Sequence, residues 1–418
     1  MQLMNLSSIT KFLRSPRFPI FMIVFVDVLG LGITIPVLPL FAQNQLGAAA
    51  WQITLLTSIF FGAQFFASPF LGRLSDHVGR RPVLILSQFG TLTSLLMNAL
   101  APTMTFLYLS RVLDGLTGGN ITVAQAYLSD ITEEHNRTRG LGLVSAAFGV
   151  GFIFGPAFGG LLAAQFGPRV PFLAAAAMSL TTIVLSTFLL PESLPPERRK
   201  HEHGAADTLT LLSATPKRSQ WQLLRMPAVA LILLVGFGTQ VSFFSFQTIF
   251  VLWSESVLFP NTSQEFVTQA VAIFLTLVGI CSVAAQVWVV GPMVKRFGEL
   301  NLVIGGNLAR GIGFGLLASF PFVFSAFATI PLLALGAGVA LPSIVALLTF
   351  AAPPNARGAA IGLNQSANAL GSVLGPLIAG FLFDTVNPNA PMIAASAIMF
   401  VAVLIGLNLY RFPLKRLH

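Results

Sequence analysis

The 418-residue chain is 55% hydrophobic and only 9% charged, with a mean hydropathy of +0.82. Soluble domains carry about 25% charged residues, so a water-soluble globular fold is excluded and an integral membrane protein is indicated. The net charge of +9 would suit nucleic acid, but the cations lie in short segments between apolar runs, where they set topology; the single cysteine, Cys281, excludes a disulfide within the chain.

In chain order, the first apolar run covers about 18–42 and holds "FVDVLGLGITIPVLP", with Asp27 inside it. It is a full span with no short apolar core before a cleavage site, so no cleavable signal peptide is expected. Further runs follow at about 52–72, 83–101, 104–129, 140–164 and 169–190, then at about 227–252, 267–291, 300–319, 322–349, 358–383 and 391–411. These runs are too long for barrel strands of about 10 alternating residues and match helices of about 20. The expectation is an all-α membrane protein of twelve spans: a tail at 1–17, a six-helix bundle at 18–190, a polar linker at 191–226, a second six-helix bundle at 227–411 and a tail at 412–418.

Of the 23 Lys and Arg, only Arg169 falls on one side of this arrangement, and Arg111 and Arg310 lie inside spans. The positive-inside rule then puts both termini and the linker in the cytoplasm. The halves also repeat. "GRLSDHVGRR" after the second span aligns with "GPMVKRFGEL" after the eighth, so that Gly72 and Gly79 match Gly291 and Gly298. "GPAFGG" in the fifth span aligns with "GPLIAG" in the eleventh at nearly the same offset. Asp76 meets Lys295 and Arg80 meets Glu299, so the two loops differ in charge.

"GRLSDHVGRRP", "RVLDG" at 111–115 and "GFIFGPAFGG" at 151–160 resemble the motifs of the major facilitator superfamily, and the last resembles the helix 5 motif of its drug/proton antiporter branch. With "VDVLGLGITIPVLP" and "SRVLDGLTGGNITVAQAYLSDIT", the chain is most similar to the tetracycline efflux proteins. Those carry membrane acids in helices 1, 3 and 9; here helix 1 keeps Asp27, while Ser94 and Arg310 stand at the other two positions. The resemblance implies two pseudo-symmetric six-helix bundles and export of drugs or other amphiphiles by alternating access, exchanged for protons. It also implies a monomer in the bacterial inner membrane with no cofactor. The alternative is a carrier of one endogenous metabolite, lipid or siderophore, and Arg310 would favour an anionic one.

Four charges define the first candidate site. An acid inside a span costs about 2.5–3.5 kcal/mol and is a functional candidate. At about 1.5 Å per residue, Asp27 and Arg310 lie ~14 and ~15 Å from the cytoplasmic end; Asp114 and Arg111 lie ~15 and ~10 Å from the outer end. Asp27 is the first choice of proton carrier and Asp114 the second, with Arg111 and Arg310 as partners. The structural alternatives are that Asp27 merely pairs a buried Arg, and that Arg111 and Asp114, at i, i+3, neutralise each other. Gly118, Thr122 and Gln125 are expected to continue that helix face. Pro36 and Pro39 should loosen the outer half of helix 1.

The second candidate site is the loop of Gly72, Asp76, Gly79, Arg80 and Arg81. Asp76 can accept from the N–H groups at a helix N-terminus, and Arg80 can bridge it to Asp130; the resemblance implies a latch for the outward-open state. Gly151, Gly155, Pro156, Gly159 and Gly160 should allow close helix packing. Gln64, Gln240, Gln247, Asn364 and Asn368 are candidates to line a substrate cavity, with phenylalanines near Gln247. His77, His135, His201, His203 and His418 fall outside the spans, so metal sites and enzyme chemistry are not expected. No phosphate-cradling Gly-x-x-x-x-Gly-Lys loop is present, which disfavours ATP-driven transport.

Overall fold

A computed structural model describes residues 15–133, 137–194 and 222–412. Linker residues 195–221 and most of both expected tails lie outside the described residues. The chain is all-α, with no strand among the described residues. The long apolar runs leave the backbone one way to satisfy its polar groups in lipid, which is the helix.

The first unit comprises α1 (Arg17–Leu46), most of α2 (Ala50–Val78), α3 (Arg80–Leu100), α4 (Met104–Thr117), α5 (Asn120–Ile131), α6 (Arg137–Phe166) and α7 (Val170–Leu189). The second comprises α8 (Pro227–Trp253), α9 (Gln264–Ala284), α10 (Val290–Phe297), α11 (Glu299–Ser319), α12 (Val323–Ala351), α13 (Arg357–Thr385) and α14 (Ala390–Asn408). It also takes in Gly47–Ser58 at the start of α2. There the Trp51 N–H donates to Asp384 Oδ2 at 2.7 Å, and the Ser58 hydroxyl donates to the Val373 carbonyl at 2.8 Å.

Eleven helices among the described residues are long and apolar enough to cross a membrane. The one expected span not among them, the fourth, is divided at Gly118–Gly119 into α4 and α5. Paired glycines are a common cause of such breaks, and here packing fixes it. The carbonyl of Gly118, freed by the break, accepts from Gln64 Nε2 at 2.7 Å. A Cβ at Gly119 would meet Leu71 at 2.5 Å. The expected face from Arg111 through Thr122 and Gln125 is interrupted at this break, with Arg111 buried before it and Thr122 and Gln125 exposed after it. By contrast α1 runs unbroken through Pro36 and Pro39.

Glycines set the helix spacing in each unit. In the first, α6 lies against α1: a Cβ on Gly155 would stand 2.7 Å from Gly32 Cα, and one on Gly159 would stand 3.0 Å from Ile33 Cα. In the second, α13 lies against α8, where a Cβ on Gly371 would stand 2.9 Å from Gln240 Cβ and one on Gly375 would overlap the Val241 carbonyl. The repeat read from "GPAFGG" and "GPLIAG" is thus the same kind of packing seam made twice. Gly79 and Gly298 match too, with φ of 114° and 79° at the turns into α3 and α11. Such positive φ strains any residue with a Cβ.

Candidate functional site

Asp27 projects from α1 toward α3 and α5 of its own unit. Its Oδ2 accepts from Asn120 Nδ2 at 2.9 Å, and its Oδ1 accepts from the Thr91 hydroxyl at 3.3 Å. The helix break sets the first of these bonds, since Asn120 opens α5 immediately after Gly119. Both partners are neutral. Sequence reasoning missed both, and the only available signal for Asn120 was its place after a Gly-Gly pair.

Arg111 and Asp114 meet within α4, with Nη1 3.2 Å from Oδ2 and side-chain exposures of 4% and 16%. The Arg111 Nη2 also donates to the Ser94 hydroxyl at 3.4 Å. Ser94 lies in a chain with Ser110, whose hydroxyl donates to Asn98 Oδ1 at 2.8 Å. Thr91 and Ser94 are one turn apart on α3, so one helix face serves Asp27 and Arg111 together. Arg310 lies in the second unit on α11, 2% exposed. It has no ion pair among the described residues. Its guanidinium lies 5.3 Å from the ring centre of Phe243 and 5.8 Å from that of Phe314.

Around the α2–α3 turn, Arg80 is the hub. Its Nη2 is 2.7 Å from Asp76 Oδ1, its Nε is 3.2 Å from Asp130 Oδ2, and its Nη1 donates to the Ser75 hydroxyl at 2.6 Å. Ser193 Oγ donates to the same Asp130 oxygen at 3.2 Å. The N-terminus of α3 is met by Glu192, whose two carboxylate oxygens accept from the Arg80 and Arg81 N–H groups at 2.9 and 3.2 Å. Arg81 Nη2 donates to the Thr187 carbonyl. A Cβ on Gly72 would meet nothing within 4 Å, so its space is open in this arrangement.

Of the expected cavity residues, Gln64 holds the broken helix, as above. Gln240 Nε2 donates to the Ser372 hydroxyl at 3.3 Å, on the α8–α13 seam. Asn364 is 3% exposed, and the Oδ1 atoms of Asn364 and Asn368 are buried without a hydrogen-bond partner. Gln247 is buried on α8 between Phe246 and Thr248. Phe246 packs at a tilt against Phe250 and Phe314 with ring centres 4.9 and 4.8 Å apart, and Phe250 meets Phe274 at 4.5 Å. These rings are packed core. A separate pocket of about 300 Å³ lies among α10, α11 and α12, lined by Phe297, Leu302, Ala309 and Val339 with Asn301 as a polar member.

The Major Facilitator Superfamily model matches residues 20–289 and 248–416. The chain is 35% identical over 357 residues to the class C tetracycline resistance protein of Escherichia coli, covering 85% of this chain and 86% of that one. It is 32% identical over 385 residues to multidrug resistance protein 2 of Bacillus subtilis (strain 168), covering 91% of each. Among solved structures it is similar to the nucleoside transporter NupG, with a TM-score of 0.75 at 14% identity over 96% of this chain and 100% of that one. The human organic anion transporter MFSD10 (TETRAN) matches with a TM-score of 0.67 at 21% identity, over 93% of this chain and 98% of that one. The all-helical fold, the repeated glycine seams and turns, and these matches agree that this multi-pass membrane chain belongs to the major facilitator superfamily.

Proposed function

We propose that this protein exports drugs or other amphiphilic small molecules by alternating access in exchange for protons, with Asp27 as the proton site. The observation that carries the reading is the pair of neutral donors on Asp27, Asn120 and Thr91. A carboxylate held by an arginine must break an ion pair to take a proton. One held by an amide and a hydroxyl gives up only hydrogen-bond geometry, which suits repeated loading and release. Arg111 and Asp114 form the neighbouring charge pair, and Asp114 is the second proton candidate. The relatives named for tetracycline and multidrug resistance support the substrate class, and their residence in bacteria supports an inner-membrane site. The charge pattern supports cytoplasmic termini, and a monomer completes the reading. The Arg80 cluster acts as the conformational latch.

The test is dye and drug transport in proteoliposomes with and without an imposed pH gradient. Wild-type protein should move several chemically distinct amphiphiles only when the gradient is present. Asp27→Asn should abolish gradient-driven transport while still binding substrate. Transport that ignores the gradient would remove antiport from the reading, and gradient-driven transport by Asp27→Asn would remove Asp27.

A further inference from the structure

The proton exchange described above makes no use of Arg310. Its Nη2 has no hydrogen-bond partner in the second unit, although the residue is 2% exposed. Its stem lies against Gly336 of α12, where a Cβ would overlap Arg310 Cγ. Its guanidinium faces the rings of Phe243 and Phe314. One turn earlier on α11, Asn307 is fully buried; its Oδ1 lies 3.1 Å from the Thr239 hydroxyl and its Nδ2 has no partner. Thr239 and Phe243 are i, i+4 on α8, and Asn307 and Arg310 are i, i+3 on α11. The two contacts are therefore successive rungs of one seam, and each rung leaves a buried N–H donor unused.

A buried cation without an anion is costly, and aromatic faces return only part of the lost hydration. A carboxylate completes such a site, because its two oxygens match the guanidinium fork. The rings say what the carboxylate should be attached to. An inorganic anion gains nothing from Phe243 and Phe314, whereas an apolar aromatic body does. We propose that Arg310, assisted by Asn307, is a substrate subsite for the carboxylate of an amphiphilic aromatic acid. This rests on the export reading, and it narrows the substrate class to include organic anions.

The experiment compares 4-biphenylcarboxylate with its primary amide, titrated by calorimetry into the full chain in lipid nanodiscs. Wild-type protein should bind the acid about tenfold or more tightly than the amide, the range expected for a charge-assisted bond. Arg310→Gln should erase that difference, and Arg310→Lys, which keeps the charge but loses the fork, should reduce it. Sodium sulfate at the same concentration should not displace the acid. Equal binding of acid and amide by the wild type, a preference that survives in Arg310→Gln, or displacement by sulfate each overturns the subsite. The wild-type comparison decides the matter even where a variant fails to fold. Dye export under a pH gradient separates the two readings. Acid-selective binding without such export rejects only the transport mechanism, and export with equal acid and amide binding rejects only the subsite.

Discussion

At the scale of single residues, two carboxylates in one unit are held in opposite ways. Asp27 rests on an amide and a hydroxyl, and Asp114 rests on Arg111. Removing one member of a buried ion pair strands the other and costs about 3–5 kcal/mol, while removing both costs far less. Asp114→Asn should therefore lower the thermal unfolding midpoint clearly, and the double variant with Arg111→Gln should recover much of the loss. Asp27→Asn strands no charge and should shift that midpoint little. Thermal unfolding of the four proteins in one detergent measures this, and a lone Asp114→Asn as stable as the wild type would count against the pair. The carboxylates were legible in the sequence because an acid inside an apolar run stands out. Their partners were not, because Thr91 and Asn120 are ordinary residues that become significant only when α3 and α5 meet α1.

At the scale of elements, the glycines of α6 hold α1 close enough to aim Asp27. A Cβ on Gly155 would stand 2.7 Å from Gly32 Cα and 2.9 Å from the Leu29 carbonyl, both backbone atoms that cannot step aside. Overpacking of this kind costs about 1–3 kcal/mol. Gly142, on the same helix, has nothing within 4 Å of its would-be Cβ, and a helical Gly→Ala there gains up to about 1 kcal/mol. Gly155→Ala should thus lower both the unfolding midpoint and the transport rate, and Gly142→Ala should raise the midpoint. Equal effects from the two would show that the seam is not what the motif provides. The seam was legible from spacing alone, since Gly151, Gly155 and Gly159 recur on one face. The division of the fourth span was not. Hydropathy continues smoothly across Gly118–Gly119, and the break depends on Gln64 and Leu71 from another helix.

At the scale of the whole molecule, the two units repeat their seams and turns but not their charges. Gly79 and Gly298 turn the chain alike, yet Arg80 gathers Asp76 and Asp130 while the matching position in the second unit is Glu299. The sequence showed this asymmetry. It did not show Glu192, which lies far along the chain at the mouth of the linker and spans the first two N–H groups of α3. A carboxylate there serves as a cap from outside the helix, favoured by the unpaired N–H groups and the helix dipole. Loss of a cap costs about 1–2 kcal/mol, which is close to tenfold in a local opening equilibrium. Glu192→Ala should accordingly speed amide hydrogen exchange about tenfold at Arg80 and Arg81, read by mass spectrometry on peptides spanning 79–82. Exchange at 298–302 serves as the internal control, because Glu192 caps the first unit's turn and not its repeat. Arg80→Ala should loosen the same peptide through the lost Asp76 and Asp130 contacts while leaving the Glu192 cap in place, so its effect should be additional to that of Glu192→Ala in the double variant. Unchanged exchange at 79–82 in Glu192→Ala would mean that the side-chain cluster alone holds the turn, and the Glu192 cap would then be no part of the latch.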